Sequence, residues 1–583
     1  MNVKFNKLLE KPYVIFFFLL GLGYLIYFNS LNGEFCSDDF RNIVENPNIR
    51  DVTNLNKIRH SFNTRFLVGL SFAFNYSLGK LDVFGYHLFN LLSHILASFL
   101  VYLFVLITFK TSPLVNSLLF EKRRIMAFFA SLVFLAHPAQ TQGVSFITQR
   151  SVSLATIFYL GTLIFYITAR IEKRSSFFGG ALITMLLGLL TKEMIITLPL
   201  TVLIYEIFFL KSLRTHLQQT RLTIFLLCLL AAFLPILLNQ DKEDSVLGLK
   251  YQLTGRPFNW NYFFTEINVL RTYLRIFFLP LSLNHSYDYP IANGLWEFPT
   301  IFSIVVLLML LLAALVQYPR NRLMSFTIAW FFITTSVEFL HVCFVNKGVI
   351  YDHWMYLPMV GFAVFLPLTL VSYLKDFRMA RNLLFSVILI FCLLTFQRNQ
   401  VWRSCIALWE DVLKKSPNDP LPYANLGFHY RRKGEWDKAL DYYTKALQLN
   451  RKLSSQPLAQ LYVNIGVAYR QRGDYRNGIT CNLKALELDP YNFYAYSNLG
   501  IVYTLIGEYE KALQYAHKAI VLNPQYSDGY NNLGVIYVKR GEMDLAKDFF
   551  KMAYEIDPAN LKAYENYQIM LSGLTNLRRE GQP

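Results

Sequence analysis

Up to about Gln397 this chain is a train of apolar blocks, most of them near the length that crosses a bilayer. A helix needs roughly 20 apolar residues to span the hydrocarbon core. The blocks that approach this are 12–31, 86–109, 125–141, 151–169, 177–191, 195–210, 222–239, 299–318, 323–340, 357–374 and 382–397. Segment 262–281 is also apolar, but Arg271 and Arg275 lie one helical turn apart on it. Each charge at the bilayer centre costs about 2.5–3.5 kcal/mol on insertion scales, so an interfacial helix with both guanidinium groups on one face is expected there. The first block follows Lys4, Lys7 and Lys11, exceeds a usual signal core and precedes no small-residue cleavage site, so it reads as a retained span.

Charge gives the orientation. With the N-terminus cytoplasmic, the inner side collects the basic clusters at 110–124, 170–174, 211–221, 320–322 and 375–381. The short outer loops hold only Arg150, Lys192 and Lys347. That asymmetry follows the positive-inside rule and places loop 32–85, segment 240–298, loop 341–356 and everything after 397 outside. The net charge of +17 therefore does not point to nucleic acid: from Arg398 onward there are 24 Lys and Arg against 19 Asp and Glu. The six cysteines show no CxxC and no paired spacing, so neither a zinc site nor a disulfide framework is expected.

Beyond 397 the sequence repeats. Asn425-Leu426-Gly427, Asn464-Ile465-Gly466, Asn498-Leu499-Gly500 and Asn532-Leu533-Gly534 each precede a tyrosine by three residues and a second glycine by seven. Pro490, Pro524 and Pro558 close units of 34 residues, the tetratricopeptide period. Small residues let two antiparallel helices approach, glycine ends the first and proline stops the second. Such arrays offer a concave surface for peptides. Asn425, Asn464, Asn498 and Asn532 are expected to line one face, where side-chain amides suit peptide backbone; satisfying local backbone groups is the competing role.

In the membrane part, polar residues cluster at the outer level. Asp38-Asp39 follow the first span, as a candidate base and helper or as part of a cation site for Mg or Mn; a solvated turn is the bland alternative. His137 ends the third span and Arg150 opens the fourth. Lys192-Glu193 lie between the fifth and sixth, and Arg271 and Arg275 lead to Asp288. Glu338 sits near the outer end of the ninth span, and Asp352-His353 precede the tenth. Cations and carboxylates on one membrane face suit a lipid phosphate carrying a sugar: Arg150, Arg271, Arg275, Lys192 and His353 for phosphate, with His137, Glu193, Asp288, Glu338 and Asp352 in support.

In this order the residues resemble the transmembrane and tetratricopeptide-repeat-containing O-mannosyltransferase family and its bacterial relatives. The resemblance rests on Ser37-Asp38-Asp39, Asn46-Pro47, Arg65-Phe66-Leu67, Leu81 to Asn90, His137-Pro138, Gln149-Arg150, Lys192-Glu193, Tyr273-Leu274-Arg275, Tyr287 to Pro290, Ser336-Val337-Glu338, Tyr356-Leu357-Pro358 and Trp402…Trp409. It implies an all-α fold: a membrane bundle of glycosyltransferase C type over 1–397, of about eleven spans, then a tetratricopeptide-repeat solenoid over 398–583. It also implies a polyprenyl-phosphate-linked sugar donor, mannose by the family's name, and inverting transfer to Ser or Thr of a protein, with Asp38 or Asp39 as base. The bacterial likeness implies an inner membrane with periplasmic repeats; in a eukaryote the repeats would face the lumen of the endoplasmic reticulum. Two positions depart from the family: Phe66 stands where relatives carry proline, and Trp354 where they carry arginine. The rival readings are a silent scaffold recruiting envelope proteins and a transferase acting on a lipid or glycan. Charges gathered at one face, not at mid-membrane, argue against a transporter.

Overall fold

The computed structural model describes residues 10–210, 258–345, 348–374, 376–449, 454–558 and 560–572. The expected span 222–239 and the basic residues Lys4, Lys7, Lys211, Arg214, Arg221, Lys347 and Lys375 lie outside them. Among the described residues every regular element is helical, and the chain divides into two units, Met1–Leu408 and Trp409–Pro583.

Each of the other ten expected spans contains helix. They are α1 (Pro12–Tyr27), α4 (Val83–Thr108), α5 (Arg123–Ala136), α7 (Arg150–Glu172), α8 (Ser175–Leu189), α9 (Leu198–Tyr205), α11 (Phe298–Gln317), α12 (Arg322–Val345), α13 (Pro358–Tyr373) and α14 (Phe377–Asn399). The loop between α1 and α4 adds α2 (Leu55–Phe62) and α3 (Phe66–Gly79), and the short α6 (Thr141–Ser145) sits between α5 and α7. Segment 262–281 is helix α10 (Trp260–Phe278).

Among the described residues, seven stretches are long and apolar enough to cross a membrane: Pro12–Ser30, Val83–Thr108, Ile147–Glu172, Glu193–Leu210, Phe298–Gln317, Arg322–Val345 and Phe377–Arg403. The protein is a multi-pass membrane protein. Local chemistry sets where these helices begin. Proline, which lacks the N–H that a first turn leaves unpaired, occupies the first turn of α1, α11 and α13. Asp82 caps α4 by accepting from the Phe84 amide, and Asp376 caps α14 by accepting from Arg378.

Helix α5 is the centre of the bundle, with every residue from Ile125 to Ala136 buried. Its regular part ends at Ala136, short of the expected 141, because His137 accepts from the Ala139 amide and Pro138 starts a tighter turn. At the far end of α7, Arg170 grips Glu206 with two hydrogen bonds of 2.7 and 3.2 Å, and the Tyr166 hydroxyl donates to the same carboxylate.

Cysteine pairing departs from the sequence expectation. Cys36 and Cys405 form a disulfide with Cα atoms 5.5 Å apart. They are 369 residues apart in the chain, so no local spacing could announce them; the first and last spans bring them together.

In the second unit, paired helices run from Pro420–Arg432 and Trp436–Gln448 through Ser455–Gln471 and Tyr475–Leu488, Phe493–Leu505 and Tyr509–Leu522, to Ser527–Arg540 and Met543–Ile556, followed by Leu561–Leu571. The two glycines of each repeat do different work. Gly434, Gly473, Gly507 and Gly541 have φ between +77° and +87°, the left-handed stop that ends the first helix of each pair. Gly427 and Gly534 instead admit a partner helix: a Cβ at either would sit 2.6 Å from an aromatic ring, Tyr443 or Phe550. Replacing Gly534 with valine is therefore expected to destabilise the array by about 1–3 kcal/mol. The measurement is a lower proteolysis threshold for the last repeat in the intact chain.

Candidate functional site

The acid pair sits where the first loop turns back on itself. Ser37 adopts φ +52°, and the chain then enters a helical turn, with the Asp39 amide donating to Cys36 O at 3.0 Å. Successive residues on a helical turn point about 100° apart, so the two carboxylates separate. Asp39 turns inward and is 1% exposed. Its Oδ2 accepts from the Cys36 amide at 3.0 Å and its Oδ1 from the Thr148 amide at 2.9 Å. Both oxygens are thus engaged by backbone, and the carboxylate fastens the first loop to the turn preceding α7. Asp38 is exposed.

The electrostatics of the two acids follow from this placement. Burial pushes Asp39 up to about 7, against the two amide bonds and with a further push from Asp38. Asp38 is raised too, by the density of protein around its carboxyl, while Arg41 and Arg65 pull it down.

Arg65, at the turn between α2 and α3, links the acid to the next group. Its guanidinium pairs with Glu193, and the neighbouring Leu67 amide donates to Leu190 O at 3.0 Å. The Lys192-Glu193 dipeptide splits its charges: Glu193 faces Arg65, whereas the buried Lys192 lies 3.7 Å from Glu338 on α12. Lys192 and Arg65 both bear on His353, whose imidazole is held well below its ordinary value first by burial and then by these cations and His285. A neutral His353 is the result.

Gln142 orders the histidines. Its Oε1 accepts from the His353 amide at 2.8 Å and lies 3.2 Å from His353 Nδ1; its Nε2 lies 3.2 Å from His285 Nδ1. An amide oxygen only accepts and an amide nitrogen only donates. This assigns the proton of His353 to Nδ1 and that of His285 to Nε2, an assignment made from the network. Beside them the Tyr287 hydroxyl donates to Asp352 at 2.6 Å, and Trp402 stacks on Phe146 and packs edge-on against His285. Trp354, at the position where arginine was expected, is buried against Tyr351.

Arg65, Lys192, Glu193, Glu338 and His353, with Asp352 beside it, thus form one connected cluster, which reaches Asp38 through Arg65. Other expected residues stand elsewhere. Arg150 is fully buried, and its guanidinium donates to Asn90 Oδ1 at 2.7 Å, to Ser71 Oγ at 3.0 Å and to Tyr86 O at 3.0 Å, between the rings of Phe72 and Phe89. Its fork is spent on protein, not offered to a phosphate. His137 is likewise buried, bridging the Ala139 amide and Phe277 O. Arg271 donates to Ser303 and Arg275 to Leu281 O, both acting on Tyr289 rather than on Asp38, and Asp288 is exposed on the strap between α10 and α11. Among the described residues no three His, Cys, Asp or Glu side chains gather to hold a metal ion, and each Asp39 oxygen already accepts from a backbone amide.

The asparagine row of the repeats is uneven. Asn425 donates back to Leu421 O on its own helix, and Asn532 is buried with its amide on Ser497 of the preceding repeat. Asn464 and Asn498 are half-buried. The sequence reading missed Arg65 and Gln142 as site residues. Arg65 stood in view inside a family motif, while Gln142 carried no signal at all.

Comparison with known proteins agrees with this architecture. Tetratricopeptide repeat models match residues 421–490, 493–526 and 527–560. Protein O-mannosyl-transferase F38B6.6 of Caenorhabditis elegans is 24% identical over 70% of this chain and 59% of its own. Protein O-mannosyl-transferase TMTC3 of Homo sapiens is 24% identical over 73% of this chain and 50% of its own. The chain thus spans about half the length of these relatives. Among solved structures, a crystal structure of MamA protein is 28% identical over 27% of this chain and 84% of that one, with a TM-score of 0.23. The chain is an all-helical membrane protein with a C-terminal tetratricopeptide array, whose curated homologues over much of its length are the O-mannosyltransferases of the transmembrane and tetratricopeptide-repeat type.

Proposed function

We propose that the chain is an integral-membrane protein O-glycosyltransferase that takes a sugar, mannose by its relatives' names, from a polyprenyl-phosphate donor. The observation that carries this is the reachable carboxylate Asp38 lying in the field of Arg41 and Arg65, with Arg65 paired to Glu193 beside Lys192. Asp38 takes the proton of an acceptor Ser or Thr hydroxyl as its oxygen attacks the anomeric carbon. The bond from that carbon to phosphate oxygen breaks, and the lipid phosphate leaves with the electron pair. A single displacement of this kind inverts the anomeric centre. Arg65 and Lys192 receive the phosphate charge, with Glu193 and Glu338 holding the two cations in place.

The repeats hold the acceptor protein, with Asn464 and Asn498 as the amides available to peptide backbone. An outer location of the first loop and of the chain after 397, periplasmic in a bacterial inner membrane, is supported by the disulfide. Cys36 and Cys405 must share one face, so an even number of crossings separates them, as the ten expected crossings do, and disulfides persist in oxidising compartments.

The test is transfer of radiolabelled sugar from polyprenyl-phosphate donors to envelope proteins, in membranes carrying wild type or Asp38→Asn. Label reaching protein only with wild type upholds the reading; equal labelling in both leaves a scaffold. Within an active enzyme, Arg65→Gln is expected to raise the KM for donor about 10- to 100-fold, the loss of one charge-assisted contact of about 1.5–3 kcal/mol, with a smaller change for acceptor.

A further inference from the structure

The disulfide lies one residue from the turn that carries the acid pair. Residues 33–36 and 402–405 run side by side: the Glu34 amide donates to Arg403 O at 3.3 Å, and the Cys405 amide donates to Glu34 Oε2 at 3.2 Å. A Cβ on Gly33 would sit 2.6 Å from Trp402 O, so only glycine permits the approach. Both cysteines are buried. The amide that Asp39 Oδ2 accepts from is that of Cys36 itself, so the residue anchored by the sulfur bond is also the residue that holds the carboxylate. Ser37, in its left-handed conformation, is the one residue between anchor and acid pair.

We propose that the Cys36–Cys405 disulfide is a positioning element for Asp38 and Asp39, and that a dithiol reductant turns transfer down by releasing it. This rests on the enzymatic reading above. The reduction balances simply: a dithiol gives two electrons and two protons to the sulfur bond, leaving two thiols here and becoming a disulfide itself. With the bond gone, residues 33–36 keep to 402–405 only the Glu34 amide bond to Arg403 O, the Cys405 amide bond to the Glu34 carboxylate and the contact of Cys405 Sγ with Phe35 O. The strained turn at Ser37 can relax, the Cys36 amide moves off Asp39, and the carboxylate that joins the loop to Thr148 loses half of its support. Asp38, the next residue along, then leaves its place opposite Arg65. The effect falls on the chemical step rather than on donor capture, because Arg65 and Lys192 are held by Glu193 and Glu338, which the disulfide does not touch.

The experiment uses the full chain in lipid nanodiscs, with and without dithiothreitol, alongside the Cys36→Ser/Cys405→Ser double variant; mass spectrometry after alkylation confirms the state of the two cysteines. Hydrogen exchange is read over residues 33–50 and 141–150, and transfer kinetics are read in parallel. Reduction is expected to raise exchange in both segments and to lower kcat about 10- to 100-fold with the donor KM within about threefold. The double variant is expected to show the reduced behaviour at the outset and no response to dithiothreitol. Unchanged exchange and kcat after confirmed reduction overturn the proposal, as does finding both cysteines free to alkylate in the unreduced protein. Faster exchange in a preparation that transfers no sugar under any condition upholds the positioning role and counts against the transferase reading alone.

Discussion

Asp38→Asn is expected to lower kcat for sugar transfer by about 10²- to 10⁴-fold, the usual worth of a positioned general base, while the protein folds and inserts as before. The asparagine keeps the shape of the side chain and loses only the capacity to take a proton. The residue is exposed, so nothing in the packing depends on its charge. Asp39→Asn is the instructive contrast. Its inward oxygens each accept from a backbone amide, and an amide nitrogen placed at either position turns one acceptor into a donor facing a donor. That substitution is expected to damage the loop itself, with lower thermal stability and faster exchange at Thr148. A pair of variants that differ only in this way separates a chemical role from an architectural one.

The pH profile should carry the same signature. Asp38 acts as a base only when ionised, and its raised value moves the acidic limb of kcat/KM upward from that of an ordinary aspartate: the rate falls as pH drops through that limb. Arg65→Gln removes a cation that pulls the value down, so its limb should move further up. Asp39 has a separate effect on stability. Folded, it keeps its proton up to about 7, whereas an ordinary carboxyl releases it near 3.8. The stability this adds is complete below 3.8 and is lost as pH rises through 7. A loop that grows easier to unfold between pH 4 and 7, as rate rises over part of the same interval, is the combined expectation.

How much of this was legible in the sequence depended on the range of the interaction that determines each feature. Span positions and repeat boundaries are local, set by runs of apolar residues and by glycine spacing, and the helices fall where the runs lie. The glycines at 434, 473, 507 and 541 terminate helices because only their own backbone conformation is involved. The charged cluster was legible only as a list at one membrane level, because which cation meets which acid is a matter of packing between distant segments. Arg65 and Glu193 are 128 residues apart, and nothing nearby in sequence marks them as partners. The Cys36–Cys405 bond was invisible for the same reason. Gln142 illustrates the other limit: a glutamine in an apolar stretch is unremarkable until two histidines converge on it.

Arg150 carries two competing tasks, phosphate binding expected from the sequence and a structural role favoured by its contacts, and its replacement should have the second large effect. An arginine at the outer end of a span is a reasonable phosphate ligand until its surroundings are known. Here the guanidinium makes three hydrogen bonds to Asn90, Ser71 and Tyr86, which belong to α3 and α4, from its own place on α7. Asn90 in turn donates to Val144 O and Ile147 O, just before the Thr148 amide that Asp39 accepts from. The arginine thus underpins the platform on which the acid pair is mounted. Charge-assisted hydrogen bonds contribute about 1.5–3 kcal/mol each, and they are not additive within one network, so Arg150→Met is expected to cost about 3–5 kcal/mol. In detergent this should appear as a fall in Tm on the order of 5 °C or more and a reduced yield of folded protein. Arg150→Lys should recover little, since an ammonium cannot match a planar fork aimed at three separate acceptors. A phosphate-binding Arg150 makes the opposite forecast: both variants would fold at wild-type yield and Tm and show only a raised KM for donor, with lysine partly restoring it. Thermal unfolding of the two variants beside a donor titration therefore decides which task the residue performs.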